Sequence, residues 1–510
     1  MIVRALLFIV LLCPLGCASL RGVLGGKELA AAPGRTGPLA TLETNLQRSL
    51  AKNQSGFKLL EVNEDALRWR LALIDSARHS LDVMTFLWWG DESGDLLLKR
   101  IIDAADRGVK VRLIVDDMTT IDDGKELRLR DVSNAAVDAH PNIELRVFNP
   151  FSNREAVGRA VEFLGDFTRL NQRMHNKAVI ADNRAAIVGG RNLGNEYFGL
   201  SPAFNFRDVD VLGVGPTARQ VSGVFDRYWN SQWVVTQKHL EGSGTTETFA
   251  REHAVLVGKL AAATTLERFP VPVQDWSAAL TALETELFPG TSTVVTDTPE
   301  EDSLTHHMPN TIRALFAEAD EEILVTNAYV IPDELVFKRT ADEVKRGVRF
   351  AMLTNSLSST DAAGVHAHYT DWRPRLVTGG VELYELRSDA PVRGLVADTP
   401  PVKSGFVGLH AKAIVVDRKK VLIGSMNLDP RSWSQNTEMG LVIECPPLAQ
   451  QLAKAIDRDM LPANAWRIAV DAAGKVTWVS GDEVRDEAPA RDDLQRLEES
   501  LHLLLPADLY

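Results

Sequence analysis

Cysteine is nearly absent: Cys13, Cys17 and Cys445 are the only three in 510 residues. The first two fall in an N-terminal leader-like stretch, so Cys445 has no partner within the chain. That excludes a structural disulfide and a zinc cluster. Long apolar runs are also missing. Beyond the N-terminus no segment reaches the roughly 18 apolar residues that a membrane span requires. Positive charge is in deficit, with a net charge of -13. That balance argues against a broad basic surface that holds nucleic acid by displacing counterions, and against diffuse attraction to anionic lipid. A local basic pocket remains compatible with that balance. What is abundant is core-forming material: 45% of residues are apolar and 25% charged. A chain of this length exceeds one ordinary domain, so a duplicated or two-domain α/β architecture is expected.

Met1 to Ser19 reads MIVRALLFIVLLCPLGCAS, with a cation at Arg4, an apolar run from Ala5 to Leu12, then small residues. This is the pattern of a secretory leader. Gly16-Cys17 is similar to the lipidation site of bacterial lipoproteins, although Pro14 stands where an aliphatic residue is usual. The expectation is a leader over residues 1–17 and lipidation at Cys17. The protein would then be exported in a bacterium and tethered to a membrane facing the periplasm. Ala18, where an Asp would signal retention, favours the outer membrane. Residues 18–55, rich in Gly, Ala, Pro and Thr, read as a tether plus a first helix.

Regular structure follows, and it repeats. A helical pattern at Asn63 to Ala77 leads to a buried strand at His79 to Trp89, a helix at Gly94 to Arg107 and a strand at Val109 to Val115. Later, a strand at Glu321 to Pro332, a helix at Asp333 to Lys345 and a strand at Gly347 to Asn355 restate that order. Arg107-Gly108-Val109 answers Arg346-Gly347-Val348, and Asn142 to Phe148 answers Gly380 to Leu386. Met174 to Leu193 answers Leu409 to Leu428, and one offset, 235 residues, separates His175 from His410 and Asn192 from Asn427. Strand-helix-strand units of this kind build parallel sheets. Two homologous halves are expected at 56–240 and 301–469, related by a pseudo-twofold. A linker or insert is expected at 241–300, with a strand at Thr291 to Thr296, and an appendage at 470–510.

The best-matched segment of the repeat holds His-x-Lys-x4-Asp twice, as His175-Lys177-Asp182 and His410-Lys412-Asp417. Residues two apart on a strand leave the same face, so each His and Lys can address one phosphate. Asp182-Asn183-Arg184 has turn composition, and Ala185 to Val188 returns as the partner strand. Gly189-Gly190 and Gly424-Ser425 then allow close backbone approach before Asn192 and Asn427. Breaking a phosphodiester needs a nucleophile, a proton donor for the leaving alkoxide, and positive groups for the phosphoryl oxygens. Two imidazoles supply the first two functions; two lysines and two amides supply the third with no metal or cofactor. A single copy arises by chance in roughly a few per cent of chains this long and would read as an ordinary strand. Two copies in register within a repeat do not.

These residues resemble the paired HKD motifs of the phospholipase D superfamily. Leu145 to Ser152, Asp166 to Lys177 and Gly189 to Gly199 are similar to its bacterial cardiolipin synthase C-type branch, over nearly the whole mature chain. The resemblance implies two phospholipase D-like α/β/α sandwich halves with one active site at their interface. It implies His175 as nucleophile, forming a phosphohistidine, and His410 as the acid that protonates the leaving alcohol and later deprotonates the acceptor. Lys177, Lys412, Asn192 and Asn427 would hold the phosphoryl oxygens. Asp182 and Asp417 count among the catalytic motif residues, with a hairpin-stabilising role expected of them. Asp208 and Glu438 would orient the histidines, Asp210 competing with Asp208 for that role. Implied substrates are phospholipids at a membrane surface: phosphatidylglycerol as acceptor, and as donor a second phosphatidylglycerol or phosphatidylethanolamine.

The motif itself leaves alternatives open. Water as acceptor would make the chain a phospholipase D hydrolase releasing phosphatidic acid. A nuclease-type phosphodiesterase is disfavoured by the acidic charge, and an inactive lipid-binding lipoprotein by two intact motifs. Weaker signals are Trp88-Trp89 as a headgroup wall or packing, Arg169 and Arg173 as phosphate contacts or surface cations, and His306-His307 as a loop pair. His366-x-His368 with Asp371 mimics metal-ligand spacing without a convincing further ligand. Leu501 to Pro506 suits a membrane surface or a docking helix equally.

Overall fold

The computed structural model describes residues 27–118, 133–241, 244–300 and 303–503. The leader, Cys17 and the C-terminal end from residue 504 lie outside the described residues.

The first half carries β1 (Ser55–Leu60), β2 (Ser80–Thr85), β3 (Lys110–Asp116), β4 (Ile143–Phe148), β5 (Ala178–Ala181), β6 (Ala185–Gly189), β7 (Phe204–Arg207), β8 (Asp210–Val214) and β9 (Val234–Thr236). All but β7 join one sheet in the order β1-β8-β6-β5-β2-β3-β4-β9, parallel only within β2-β3-β4. Such parallel strands are covered by helices on both faces, which explains why β2 is buried along its whole length.

The second half begins with β10 (Phe288–Thr296) and a small hairpin of β11 (Thr298–Pro299) and β12 (Leu304–Thr305). It continues with β13 (Glu322–Asn327), β14 (Arg349–Asn355), β15 (Glu382–Leu386), β16 (Phe406–Leu409), β17 (Lys412–Val416), β18 (Lys420–Gly424), β19 (Met439–Glu444) and β20 (Ala465–Val470). Its sheet runs β10-β19-β18-β17-β13-β14-β15-β20, strand for strand the order of the first. Beyond β20 the sheet gains β21 (Val476–Ser480) and β22 (Glu483–Arg485).

Local chemistry repeats as well. Asp91 caps helix Glu92–Asp106 by accepting from the Gly94 N–H, and Asp333 caps Glu334–Lys345 through the Val336 N–H. Both helices stop before a glycine in the left-handed region, Gly108 at φ 91° and Gly347 at φ 93°.

The two sheets meet edge to edge, β1 pairing antiparallel with β10 from Ser55↔Gly290 to Phe57↔Phe288. Each half has its own apolar core. A third core is shared, with Phe57, Ile180 and Trp229 from one side and Leu409, Ile423 and Leu452 from the other. Residues 241–300 are not a free linker. Leu256, Leu260, Leu280 and Leu283 pack into the first half's core, and β10 opens the second sheet. The first helix expected beside the tether, and the appendage, also contribute packed structure. Helix Pro38–Leu46 buries Leu39, Leu42 and Leu46, and β21 and β22 extend the sheet.

Candidate active site

The motif histidines lie just before β5 and β17, Lys177 immediately ahead of β5 and Lys412 at the first position of β17, and each histidine is placed by the opposite half. The His175 N–H donates to the Thr437 carbonyl at 2.9 Å, and the Thr437 N–H to the Arg173 carbonyl at 2.8 Å. In the mirrored position β16 pairs in parallel with β7, and the His410 N–H donates to the Arg207 carbonyl at 2.9 Å. Each histidine thus enters the site bonded to the stretch that precedes the other half's carboxylate.

The side chains follow the backbone. His175 Nδ1 lies 2.9 Å from Glu438 Oε2, and His410 Nδ1 lies 2.6 Å from Asp208 Oδ2. Both pairs are buried. With Nδ1 engaged by a carboxylate, Nε2 is the ring nitrogen left for chemistry. Asp208 is the partner; Asp210 is occupied by Arg70 at 2.8 Å and Arg191 at 3.0 Å. Glu438 also accepts from the hydroxyls of Ser425 and Ser432, while Asp208 accepts from the Val209 N–H at 2.7 Å. Gly190 faces Asp208 so closely that a Cβ there would stand 2.7 Å from Oδ1.

Lys177 donates to the His175 carbonyl at 2.7 Å, and Lys412 makes the same bond to the His410 carbonyl. Aromatic rings wall the pair. Phe86 meets His175 edge-on at 5.0 Å, and Tyr197 meets His410 edge-on at 5.1 Å. Asn192 is anchored, its amide donating to Tyr197 Oη at 2.9 Å and its carbonyl accepting from the Leu87 N–H at 3.3 Å. Asn427 keeps a buried amide oxygen with no hydrogen-bond partner among the described residues.

Burial, with Lys177 and Lys412 nearby, holds His175 well below its ordinary value, so it is a neutral base. Burial and Lys412 lower His410 to about 4 against the pull of Asp208. Asp208 stays ionised: burial opposes its charge, but His410, Arg191 and Lys412 outweigh that cost. Glu438 differs, because burial pushes it up to about 8 despite Lys177 and its serine donors. Burial lowers Lys412 to about 8 and Lys177 well below the ordinary ammonium range. The two dyads are symmetric in geometry and unequal in charge.

The motif aspartates correct the catalytic grouping. Asp182 accepts from the backbone N–H groups of Arg78, His79 and Ser80, at 2.7 to 3.1 Å. Asp417 accepts likewise from Asp320, Glu321 and Glu322, at 2.8 to 3.0 Å. Each sits at a hairpin tip with positive φ, 52° and 50°, and pins the start of the neighbouring strand, β2 or β13. Neither touches a motif histidine. Arg169 and Arg173 are both engaged within the fold: Arg173 is buried against Asp116 at 3.2 Å, and Arg169 binds Glu162 at 3.1 Å. Trp88 packs with its indole N–H on the Gly94 carbonyl, and His366 lies between Glu499 and Arg373.

Comparison with known proteins identifies the architecture. Residues 71–229 and 312–460 match the family model described as cardiolipin synthase, PLD-like domain. The chain belongs to this PLD-like family. Cardiolipin synthase C of Escherichia coli K12 is 34% identical over 466 residues, covering 89% of this chain and 96% of that one. Cardiolipin synthase B of the same organism is 24% identical over 80% and 84% of the two chains. The crystal structure of phosphatidylserine synthase from Haemophilus influenzae Rd KW20 matches with a TM-score of 0.58. At 12% identity it covers 92% of this chain and 100% of that one, a likeness of fold. The PLD-like fold thus accounts for both matched blocks, one per sheet, each holding one motif.

Proposed function

We propose that this chain is a cardiolipin synthase-like phosphatidyltransferase acting through a phosphohistidine. His175 Nε2 attacks the phosphorus of a donor phospholipid, and the P–O bond to the departing alcohol breaks. His410, carrying a proton stabilised by ionised Asp208, delivers it to that alkoxide. The charge of the bound phosphodiester offsets the burial that otherwise disfavours an imidazolium at His410. Lys177 and Lys412 stabilise the equatorial oxygens, aided by the amides of Asn192 and Asn427. An acceptor hydroxyl then loses its proton to His410 and attacks the phosphorus, freeing His175. With phosphatidylglycerol as acceptor the product is cardiolipin; the donor is a second phosphatidylglycerol or phosphatidylethanolamine.

The crossed dyads carry this reading, because they bring two carboxylate-paired imidazoles together in one buried, lysine-lined site. The likeness to cardiolipin synthases C and B over most of the chain supports the choice of lipid. The N-terminal leader and Cys17 support export and tethering at a periplasm-facing membrane, favouring the outer one. Palmitate label entering the wild type but not Cys17→Ala is the expected sign of that anchor.

Expression in a bacterium lacking its own cardiolipin synthases, followed by lipid mass spectrometry, tests the transfer. Cardiolipin should appear with the wild type and not with His175→Ala. Phosphatidic acid without cardiolipin would reassign the protein as a hydrolase.

A further inference from the structure

Two helices are built inside out. Helix Ala156–Gly165 turns its charges inward. Arg159, 5% exposed, stacks over Phe151 at 5.2 Å, and Glu162 accepts from the Ser152 and Asn153 N–H groups at 2.9 Å. Its outer face is Val157, Val161 and Leu164, at 79%, 59% and 82% exposure. Helix Asp493–His502 carries a like stripe, with Glu499 turned inward and Asp493 and Glu498 exposed beside the leucines. Gln495 donates to the Leu357 carbonyl and Glu499 pairs with His366 at 2.6 Å, while Leu494, Leu497 and Leu501 are 72%, 56% and 58% exposed. A water-facing helix shows the reverse pattern, with its apolar stripe on the core. Single exposed leucines need no explanation, but two aligned stripes do.

Both helices follow loops at the ends of the parallel strands, the side on which the motif histidines enter beside the ends of β2 and β13. The first is clamped to the loops after β3 and β4, with Arg159 3.8 Å from Asp117. The chain then runs through Arg173 directly into His175. The second is clamped to the loop after β14 through Leu357, with Arg491 donating to the Ser358 and Thr360 carbonyls at 2.8 and 3.0 Å. Asn355, at the start of that loop, bonds to the backbone of Leu409 beside His410. One stripe per half therefore borders the composite site.

We propose that these stripes are the surface on which the protein meets phospholipid, each helix lying in the boundary between headgroups and acyl chains. The inference rests on the phospholipid reading above. In such a substrate the phosphodiester sits at that boundary, so apolar contacts beside the site present it without extracting the acyl chains. The net charge of -13 provides no diffuse attraction to anionic lipid, so what these two helices offer the surface is apolar contact.

The test uses full-length protein carrying an environment-sensitive fluorophore at Val161→Cys or Leu497→Cys, Cys445 being buried. With vesicles of phosphatidylglycerol and phosphatidylethanolamine both labels should shift to the blue, whereas one at Val255→Cys on an outer helix should not. These labels report the stripes themselves, whatever the N-terminus does. Leu164→Glu with Leu501→Glu should lower turnover on vesicles, relative to dispersed short-chain phosphatidylglycerol, by roughly tenfold or more. Labels that stay unshifted overturn the proposal. So does a wild-type dimer, seen by sedimentation, that the double substitution splits, since the stripes would then bind a second copy. If the labels shift but wild type leaves the short-chain lipid untouched, the lipid surface stands and the transferase reading fails.

Discussion

His175 and Glu438, 263 residues apart, meet at 2.9 Å across the junction of the two halves. The motif histidine of one half is thus aligned by a carboxylate of the other, and His410 with Asp208 completes the exchange. The first prediction concerns the intermediate. His175→Ala should abolish a phosphohistidine detectable by intact-protein mass spectrometry. His410→Ala should let it accumulate from a donor whose leaving group needs no proton. A phosphohistidine persisting in His175→Ala would falsify the assignment of roles.

The pH profile should have two limbs near one value. Glu438, raised to about 8, must lose its proton to accept from His175 Nδ1–H as Nε2 attacks, so kcat/KM climbs towards pH 8. Lys412, lowered to about 8, loses its charge above that point and the rate falls again. Lys412→Arg, which stays charged, should flatten the alkaline limb at reduced overall rate. An alkaline limb unchanged in that variant would assign it to another group.

Stability should respond to Glu438 in the opposite sense. Its folded value lies above the ordinary 4.5, so the folded chain binds more protons between those values. The stabilising contribution is full below about 4.5 and is lost as pH rises through about 8. Glu438→Gln cannot ionise, so by chemical denaturation it should gain on the wild type over that window by on the order of a few kcal/mol.

The motif aspartates should prove structural and unequal. Asp182→Ala strands three backbone N–H groups beside a buried turn and should cost roughly 3 kcal/mol of stability. Asp417→Ala should cost less, because Asp417 and its donors are partly exposed. In both variants the folded fraction should keep kcat within about threefold, since neither carboxylate touches a histidine. A loss as deep as that of His175→Ala, in protein that melts like wild type, would return the aspartate to the chemistry.

Gly190→Ala tests how tightly Asp208 is held. The added methyl would sit 2.7 Å from Asp208 Oδ1, so the carboxylate must move off His410. Activity should fall by roughly a hundredfold, with the phosphohistidine still forming on His175 from a donor whose leaving group needs no proton. Wild-type turnover in this variant would show that the Asp208–His410 bond is dispensable.

Much of this was legible in the chain because catalysis and turns leave local marks. The His-x-Lys spacing, the hairpin after each motif and the repeat itself foretold the fold and most of the site. The crossing was not legible: Asp208 and Glu438 each lie nearer in sequence to the histidine they do not serve. The parallel pairing of β7 with β16 and the bridge of Met174 to Thr437, both long-range events, assign the partners. The inverted helices were hidden for another reason. Apolar periodicity reveals that Ala156–Gly165 has an apolar face but not which way it points, and here Arg159 and Glu162 anchor the polar side. Within residues 241–300 the strand at Thr291 to Thr296 is legible, but not that it would pair with both β1 and β19 and so join the two sheets.

The edge pairing of β1 with β10 also bears on how such a chain can change over generations. Each half lends the other a carboxylate, and the seam fixes the register in which the loan is made. A substitution that tilts one sheet is felt at both histidines at once, so neither half is free to drift alone. A duplicated gene normally gains a spare copy on which to experiment; here the seam has converted the spare into a dependent.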